Sequence, residues 1–341
     1  MPTPDPRPLT PLVEAAAAIR AAGRILIATH INPDGDALGS LCGLALACER
    51  LGKQATRVSV DGVPEMYARL PSAERVVRIA PPGPFDLAIG VDADGPDRLG
   101  AAEAAILSCP AVIDIDHHTG ADRYGSLQLI DPTAAATGEL VFDLIRELAV
   151  PLDREIAECL MMALVTDTGS FRFPSVKPRT LRIAAELMEA GAHPAPIVEQ
   201  VYGQRSAGAT RLLGRALERM GTGPAIGPQG AGYPLAGERF VWSALSQDDF
   251  RETGAREDET DGIINELRAV RGVDLAMLLR EERDGQIRVS FRAREGVDAA
   301  ALAAEFGGGG HRAASGATLP GPMSTALRRV IDAAERALRK A

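Results

Sequence analysis

Short continuous apolar runs alternate along the first half of the chain with longer stretches of helical periodicity. Arg24-Ile25-Leu26-Ile27-Ala28-Thr29, residues 85–91 and residues 111–115 are runs of the kind buried on both faces of a parallel sheet. Residues 54–60 and 126–131 read as two further strands. Between them, residues 11–22, 38–51, 101–109, 135–148 and 153–166 place apolar positions at helical spacing. The alternation predicts an α/β fold with a doubly wound, mostly parallel sheet.

The rhythm changes in the second half. Residues 177–220 are almost purely helical, broken at Gly191-Ala192-His193-Pro194, and a Gly/Pro-rich turn follows over 221–237. Then come a strand at 240–245, a helix at 258–270, and strands at 273–280 and 286–294 joined as a hairpin by Asp284-Gly285. A helix at 297–306 leads into Gly307-Gly308-Gly309-Gly310-His311, and an amphipathic helix closes the chain over 323–341. The expected organisation is a first domain over 1–190, a helical linker over 191–220 and a smaller α/β domain over 221–341.

Composition narrows the picture. With 341 residues, 46% of them hydrophobic and 24% charged, the chain can bury two proper cores. A formal net charge of −9 argues against a grip on long nucleic acid, which depends on many phosphate contacts. No apolar leader precedes residue 11 and no segment is long and apolar enough to span a bilayer, so a cytoplasmic protein without a membrane partner is expected. Cys42, Cys48, Cys109 and Cys159 show no CxxC spacing and read as buried thiols.

Four strand ends in the first half finish in groups that ligate cations: His30/Asp34/Asp36, Asp92/Asp94, Asp116/His117/His118, and Asp167. Parallel strands deliver their C-terminal loops to one edge, where ligands bind in open α/β sheets. About four carboxylates with two or three imidazoles suit two divalent cations sharing a bridging carboxylate. Oxygen-rich ligation with some imidazole favours Mn²⁺ or Mg²⁺ over a structural zinc. Such a pair suits phosphoester hydrolysis.

His30-x-x-x-Asp34-x-Asp36, Asp92, Asp116-His117-His118 and Asp167 resemble the four motifs of the DHH phosphoesterase superfamily. Val289-Ser290-Phe291-Arg292 with Gly307–His311 resembles its DHH-associated domain, and 131–139 and 166–173 are similar to the NrnA-type oligoribonucleases and nucleotide phosphatases. The resemblance implies that His30 and Asp34 hold one metal, that Asp36, His117 and Asp167 hold the other, and that Asp92 bridges both, with Asp94 as its substitute or support. It also implies that His118 faces the scissile phosphate while Asp116 orients the triplet. Thr119-Gly120 departs from relatives that often carry Asn near the second position.

The implied activity is hydrolysis of short oligoribonucleotides, pApA and pAp to mononucleotides, through a hydroxide bridging two Mn²⁺ ions. Gly308, Gly309, Gly310 and His311 are expected to form a phosphate-binding loop, with Arg292 and Ser290 beside it and Arg294 on the same strand face. Gripping a second phosphate there would make the two domains a ruler for substrate length. Competing readings are cyclic di-AMP hydrolysis at the same site, a RecJ-like exonuclease, a manganese pyrophosphatase and a non-catalytic nucleotide sensor. A homodimer is a family-level expectation. Trp242 and Tyr202 are expected to pack, His193 to be structural, and the arginines over 204–219 to form a solvated face.

Overall fold

A computed structural model describes residues 9–119, 123–222, 239–260 and 262–340. The chain divides into two units, Met1–Gln204 and Arg205–Ala341.

In the first unit, strands β1 (Arg24–Thr29), β2 (Gln54–Val58), β3 (Val76–Val77), β4 (Leu87–Val91), β5 (Val112–Asp116) and β6 (Leu127–Ile130) form one sheet in the order β3-β2-β1-β4-β5-β6. Every pairing in it is parallel, so the expected doubly wound sheet is present. β1 is buried on both faces: Ile25 and Ile27 enter the larger core, while Leu26 and Ala28 enter a smaller one with Val58 and Leu99. Helices α1 (Leu9–Ala21), α2 (Gly35–Arg50), α4 (Thr137–Glu147), α5 (Arg154–Asp167) and α6 (Pro178–Glu189) contribute to the larger core. The short α3 (Glu103–Leu107) covers the other face. Strand order reverses between β1 and β4, the switch point at which such sheets open a crevice.

α2 and α5 lie unusually close. Gly35, Gly39 and Gly43 recur every fourth residue, one stripe along α2. A Cβ on Gly39 would stand 2.4 Å from the Cys159 carbonyl oxygen, so a side chain there would force α5 away.

Two expectations about placement are corrected. Asp36 lies in the first turn of α2, which starts three residues earlier than its periodicity suggests because Asp34 caps it, accepting from the Asp36 and Ala37 N–H groups at 3.0 Å. Asp167 closes α5, a helix and not a strand.

Past α6, α7 (Pro194–Val198) starts at His193, its exposed N-cap, and runs into a π-helical turn over Glu199–Gly203. The second unit opens with α8 (Ala207–Glu218). Its sheet joins β7 (Gly221–Thr222), β8 (Phe240–Leu245), β9 (Leu275–Glu281), β10 (Ile287–Ala293), β11 (Gly309–His311) and β12 (Ala314–Leu319) in the order β11-β12-β10-β9-β8-β7. β8 and β9 are parallel and all the other pairs antiparallel, including the expected β9–β10 hairpin. α11 (Ala299–Ala304) and α12 (Met323–Lys340) cover one face; α8, α9 (Gln247–Thr253) and α10 (Ile263–Arg268) cover the other. Most of the 221–237 turn, and Gly120, lie outside the described residues.

Trp242 is buried in the second unit's core, whereas Tyr202 is 44% exposed, contrary to the packing expected of it. Arg215 in α8 and Arg219 just past it remain partly in solvent while donating to the buried Asp249 at 3.0 and 2.6 Å.

Candidate metal centre

Thr29 ends β1 and donates its hydroxyl to the Val91 carbonyl at 3.0 Å, tying the C-terminal ends of β1 and β4 together. His30 and Asp92 follow these two ends directly. His30 Nδ1–H donates to the Ile31 carbonyl at 2.7 Å, which leaves Nε2 to face the site. That nitrogen is 3.6 Å from Asp92 Oδ2 and 4.0 Å from Asp34 Oδ1. Asp92 adopts φ +59°, the left-handed region that few aspartates occupy, and its carboxylate is almost wholly buried. Such strain persists where surrounding structure enforces it. Here the Thr137 hydroxyl donates to Asp92 Oδ1 at 2.8 Å.

The N-terminus of α4 organises the centre from the opposite side. Thr137 and Gly138 N–H groups donate to Asp36 Oδ2 and Oδ1 at 2.6 and 2.9 Å, and Ser40 adds its hydroxyl to Oδ1 at 3.1 Å. Two free N–H groups at a positive helix end are a natural seat for a carboxylate. Thr137 therefore fixes both Asp36 and Asp92, a role no sequence pattern had assigned to it. The α2–α5 contact then brings Asp167 to the same place.

His117 completes the cluster. Its Nδ1 faces the Ala134 carbonyl at 3.3 Å, and its Nε2 lies 3.5, 3.7 and 3.8 Å from oxygens of Asp167, Asp92 and Asp36. This Nε2 is buried without a hydrogen-bond partner, an arrangement that costs free energy unless something fills the gap. His118, tilted against His117 with ring centroids 4.4 Å apart, directs Nδ1 to Asp116 Oδ1 at 2.7 Å and lies 3.6 Å from Asp92.

Ligand atoms of His30/Asp34/Asp92, of Asp36/His117/Asp167 and of Asp92/His117/His118 each converge closely enough to hold a cation. Asp92 belongs to the sets with His30/Asp34 and with His117/His118, and His117 links the latter to Asp36 and Asp167. Asp94 joins none of the three; it is 3.7 Å from Arg98.

Electrostatics point the same way. Burial, and then Asp92, Asp167 and Asp34, push Asp36 well above its ordinary pKa. Burial and the same neighbouring acids push Asp167 up to about 7 against the pull of His117. Asp92 moves downward despite its burial, because three imidazoles surround it. Against burial, the Asp116 hydrogen bond and Asp92 push His118 up to about 9. Carboxylates this crowded share protons when alone and exchange them for a cation when one binds. The residues present therefore fit a divalent metal.

In the second unit, Ser290 and Arg292 lie on the half-exposed face of β10, alternating with buried Val289 and Phe291. Arg292 donates to the Phe291 carbonyl at 3.1 Å. The glycine run is partly strand and not an open loop: Gly309, Gly310 and His311 pair with Gly316, Ser315 and Ala314. Ala314 pairs on its other side with Arg292, so His311 and Arg292 flank it in one row, as Gly309 and Ser290 flank Gly316. A Cβ on Gly308 would stand 2.1 Å from the Gly316 carbonyl oxygen, so strand packing accounts for that glycine at least. Arg294 lies past the strand end and donates to the Arg268 carbonyl at 3.1 Å.

Residues 24–164 match the DHH family N-terminal domain, and residues 238–340 match the DHHA1 domain. The bifunctional oligoribonuclease and PAP phosphatase NrnA of Thermus thermophilus is 36% identical over 99% of this chain and 98% of its own length. The protein of the same description from Bacillus subtilis is 28% identical over 86% and 89% of the two chains. Among solved structures, an exopolyphosphatase-related protein from Bacteroides fragilis superposes with a TM-score of 0.86 at 24% identity, covering 97% of this chain and 96% of that one, which shows a shared fold.

Proposed function

This chain belongs to the DHH family and is a phosphoesterase, and from that premise we propose that it hydrolyses short oligoribonucleotides, pApA and pAp to mononucleotides in the cytoplasm. The observation that carries the reading is that His30/Asp34/Asp92 and Asp36/His117/Asp167 each converge closely enough to hold a cation, with His117 Nε2 buried and unpartnered among Asp36, Asp92 and Asp167. The near full-length likeness to a protein described as an oligoribonuclease and PAP phosphatase supports the substrate class.

In this reading His30 and Asp34 would hold one divalent cation, Asp36, His117 and Asp167 would hold the other, and Asp92 would serve both. The carboxylate and imidazole donors, without a thiolate, favour Mn²⁺, with Mg²⁺ as the alternative. When bound, the cations supply a water acidic enough to attack phosphorus at neutral pH and positive charge for the phosphoryl oxygens. His118, oriented by Asp116, stabilises charge that develops on the phosphate. Asp36 and Asp92 are held by Thr137 and Gly138 before substrate arrives, so they need not reorganise during the reaction. Arg292, Ser290, Gly308, Gly309, Gly310 and His311 receive a second phosphate, which selects short substrates bearing two.

The test is a panel of pAp, pApA, cyclic di-AMP, pyrophosphate and a long RNA, each with Mn²⁺. Turnover of pAp and pApA well above the rest is the expected result. Pyrophosphate as the sole good substrate would overturn the reading.

A further inference from the structure

Behind the Asp-His-His triplet lies a buried polar layer to which the functional reading has given no role. Arg123 is only 13% exposed, and its guanidinium makes two contacts on the triplet. Nη1 donates to Asp116 Oδ2 at 2.6 Å, and Nη2 donates to the His118 carbonyl oxygen. Asp116 uses its other oxygen, Oδ1, to accept from the His118 backbone N–H at 3.0 Å and to hold the His118 ring at 2.7 Å. Arg123, Asp116 and His118 thus close a ring of hydrogen bonds. The ring fixes the His118 backbone at both its N–H and its C=O and sets the plane of the carboxylate that orients the imidazole.

The layer beneath has been shaped to keep this guanidinium in place. Asp114 is completely buried, and neither of its oxygens has a hydrogen-bond partner. Its Oδ2 lies 3.7 Å from Arg123 Nη1, so the guanidinium stands between two sealed carboxylates. Gly90 pairs with Asp114 across β4 and β5, and the Tyr124 hydroxyl occupies the space a side chain on Gly90 would need, 1.9 Å from its ideal Cβ. A lysine offers a single point charge and cannot serve two acceptors in the planar fork that a guanidinium presents.

We propose that Arg123 is a positioning residue of the hydrolytic reaction, which fixes the His118 imidazole toward the phosphate through Asp116 and the His118 carbonyl. This inference rests on the hydrolase reading above.

The experiment compares wild type, Arg123→Lys and Arg123→Ala, each saturated with Mn²⁺, on pAp. The expected loss is ~10–100-fold in kcat, the range for groups that orient functional side chains at a metal site, with KM and Mn²⁺ affinity changed less than about threefold. Added guanidinium ion should restore part of kcat to Arg123→Ala, and ammonium should not. In Mg²⁺-loaded protein, the ¹⁵N resonance of the His118 Nδ1–H group should be sharp in wild type and broadened or shifted in Arg123→Lys. Unchanged kcat, loss confined to KM or to Mn²⁺ affinity, or an unaltered His118 resonance would each overturn the role. If Arg123→Ala does not fold, the Arg123→Lys kinetics and resonance decide alone. Inactivity of the wild type on every substrate would sink the hydrolase reading, whereas an active wild type with fully active variants sinks Arg123 alone.

Discussion

Asp114 in the first unit and Asp249 in the second are both sealed from water, yet they titrate in opposite directions. Asp249 accepts from Arg215, Arg219 and the Ser246 N–H and hydroxyl, and these partners outweigh burial and hold it below the usual carboxylate range. Asp114 has the Arg123 guanidinium no nearer than 3.7 Å, too little to offset burial, which pushes it up to about 7. The contrast extends to the units as wholes. The second unit neutralises its buried acid as it folds and leaves small residues and an arginine along one face of β10 and β12. The first unit gathers Asp36, Asp92, Asp114, Asp116 and Asp167 at one edge of a parallel sheet without enough cationic side chains to match them. Uncompensated buried charge marks the unit that awaits a metal; compensated charge serves as structure.

The sharpest way to break the comparison is Asp36→Ala, which removes a proposed ligand and orphans the Thr137 and Gly138 N–H groups. Turnover of every substrate should fall more than about a thousandfold, read as kcat with saturating Mn²⁺. Retention of activity would refute the metal assignment. Next is Asp249→Asn, expected to cost the second unit ~2 kcal/mol in urea unfolding, below a fully buried pair because both arginines are partly in water. With its folded pKa depressed, Asp249 contributes stability above the unfolded value near ~3.9 and loses it as pH falls through the folded value. The wild type should thus converge on the variant in acid.

Arg292→Ala tests whether the second unit contributes recognition and not chemistry. It should raise KM for pAp about tenfold, as expected for a charge-assisted phosphate contact, and leave kcat nearly unchanged. A dominant fall in kcat would erase the division between the units. Asp114→Asn carries the opposite pH signature to Asp249. Because its folded pKa is raised, the folded state binds the extra proton, and stability declines as pH rises from about 4 to about 7. The variant should lack that decline in thermal melts run across the window. Smallest of all is Asp94→Asn. Asp94 lies by Arg98 outside every cluster, so kcat should change less than about twofold.

What the amino-acid pattern revealed follows from how local each signal was. β1 at Arg24–Thr29 and β8 at Phe240–Leu245 match their expected limits because continuous apolar runs bury on both faces whatever surrounds them. β12 was missed, since Ala314-Ser315-Gly316-Ala317-Thr318-Leu319 has little strand propensity and forms a strand through its pairing with β10 and β11. The candidate ligands were legible because their chemistry is unusual at the ends of elements. Thr137 and Arg123 were not, because a threonine at a helix start and an arginine in a loop are commonplace until the fold sets them against Asp36, Asp92 and Asp116. Asp167 was grouped with the strand ends although residues 153–166 already read as a helix, which α5 extends by one residue to include it.

That glycine contact has a consequence for the cradle's aperture. At Gly39 the main chains of α2 and α5 meet, so the spacing of the two helices there is governed by backbone and not by side chains able to swap rotamers. Widening the gap between the two helices at this point would require moving one main chain against the other. Asp34, half in solvent, is tied to the same helix by the Asp36 and Ala37 N–H groups its carboxylate caps.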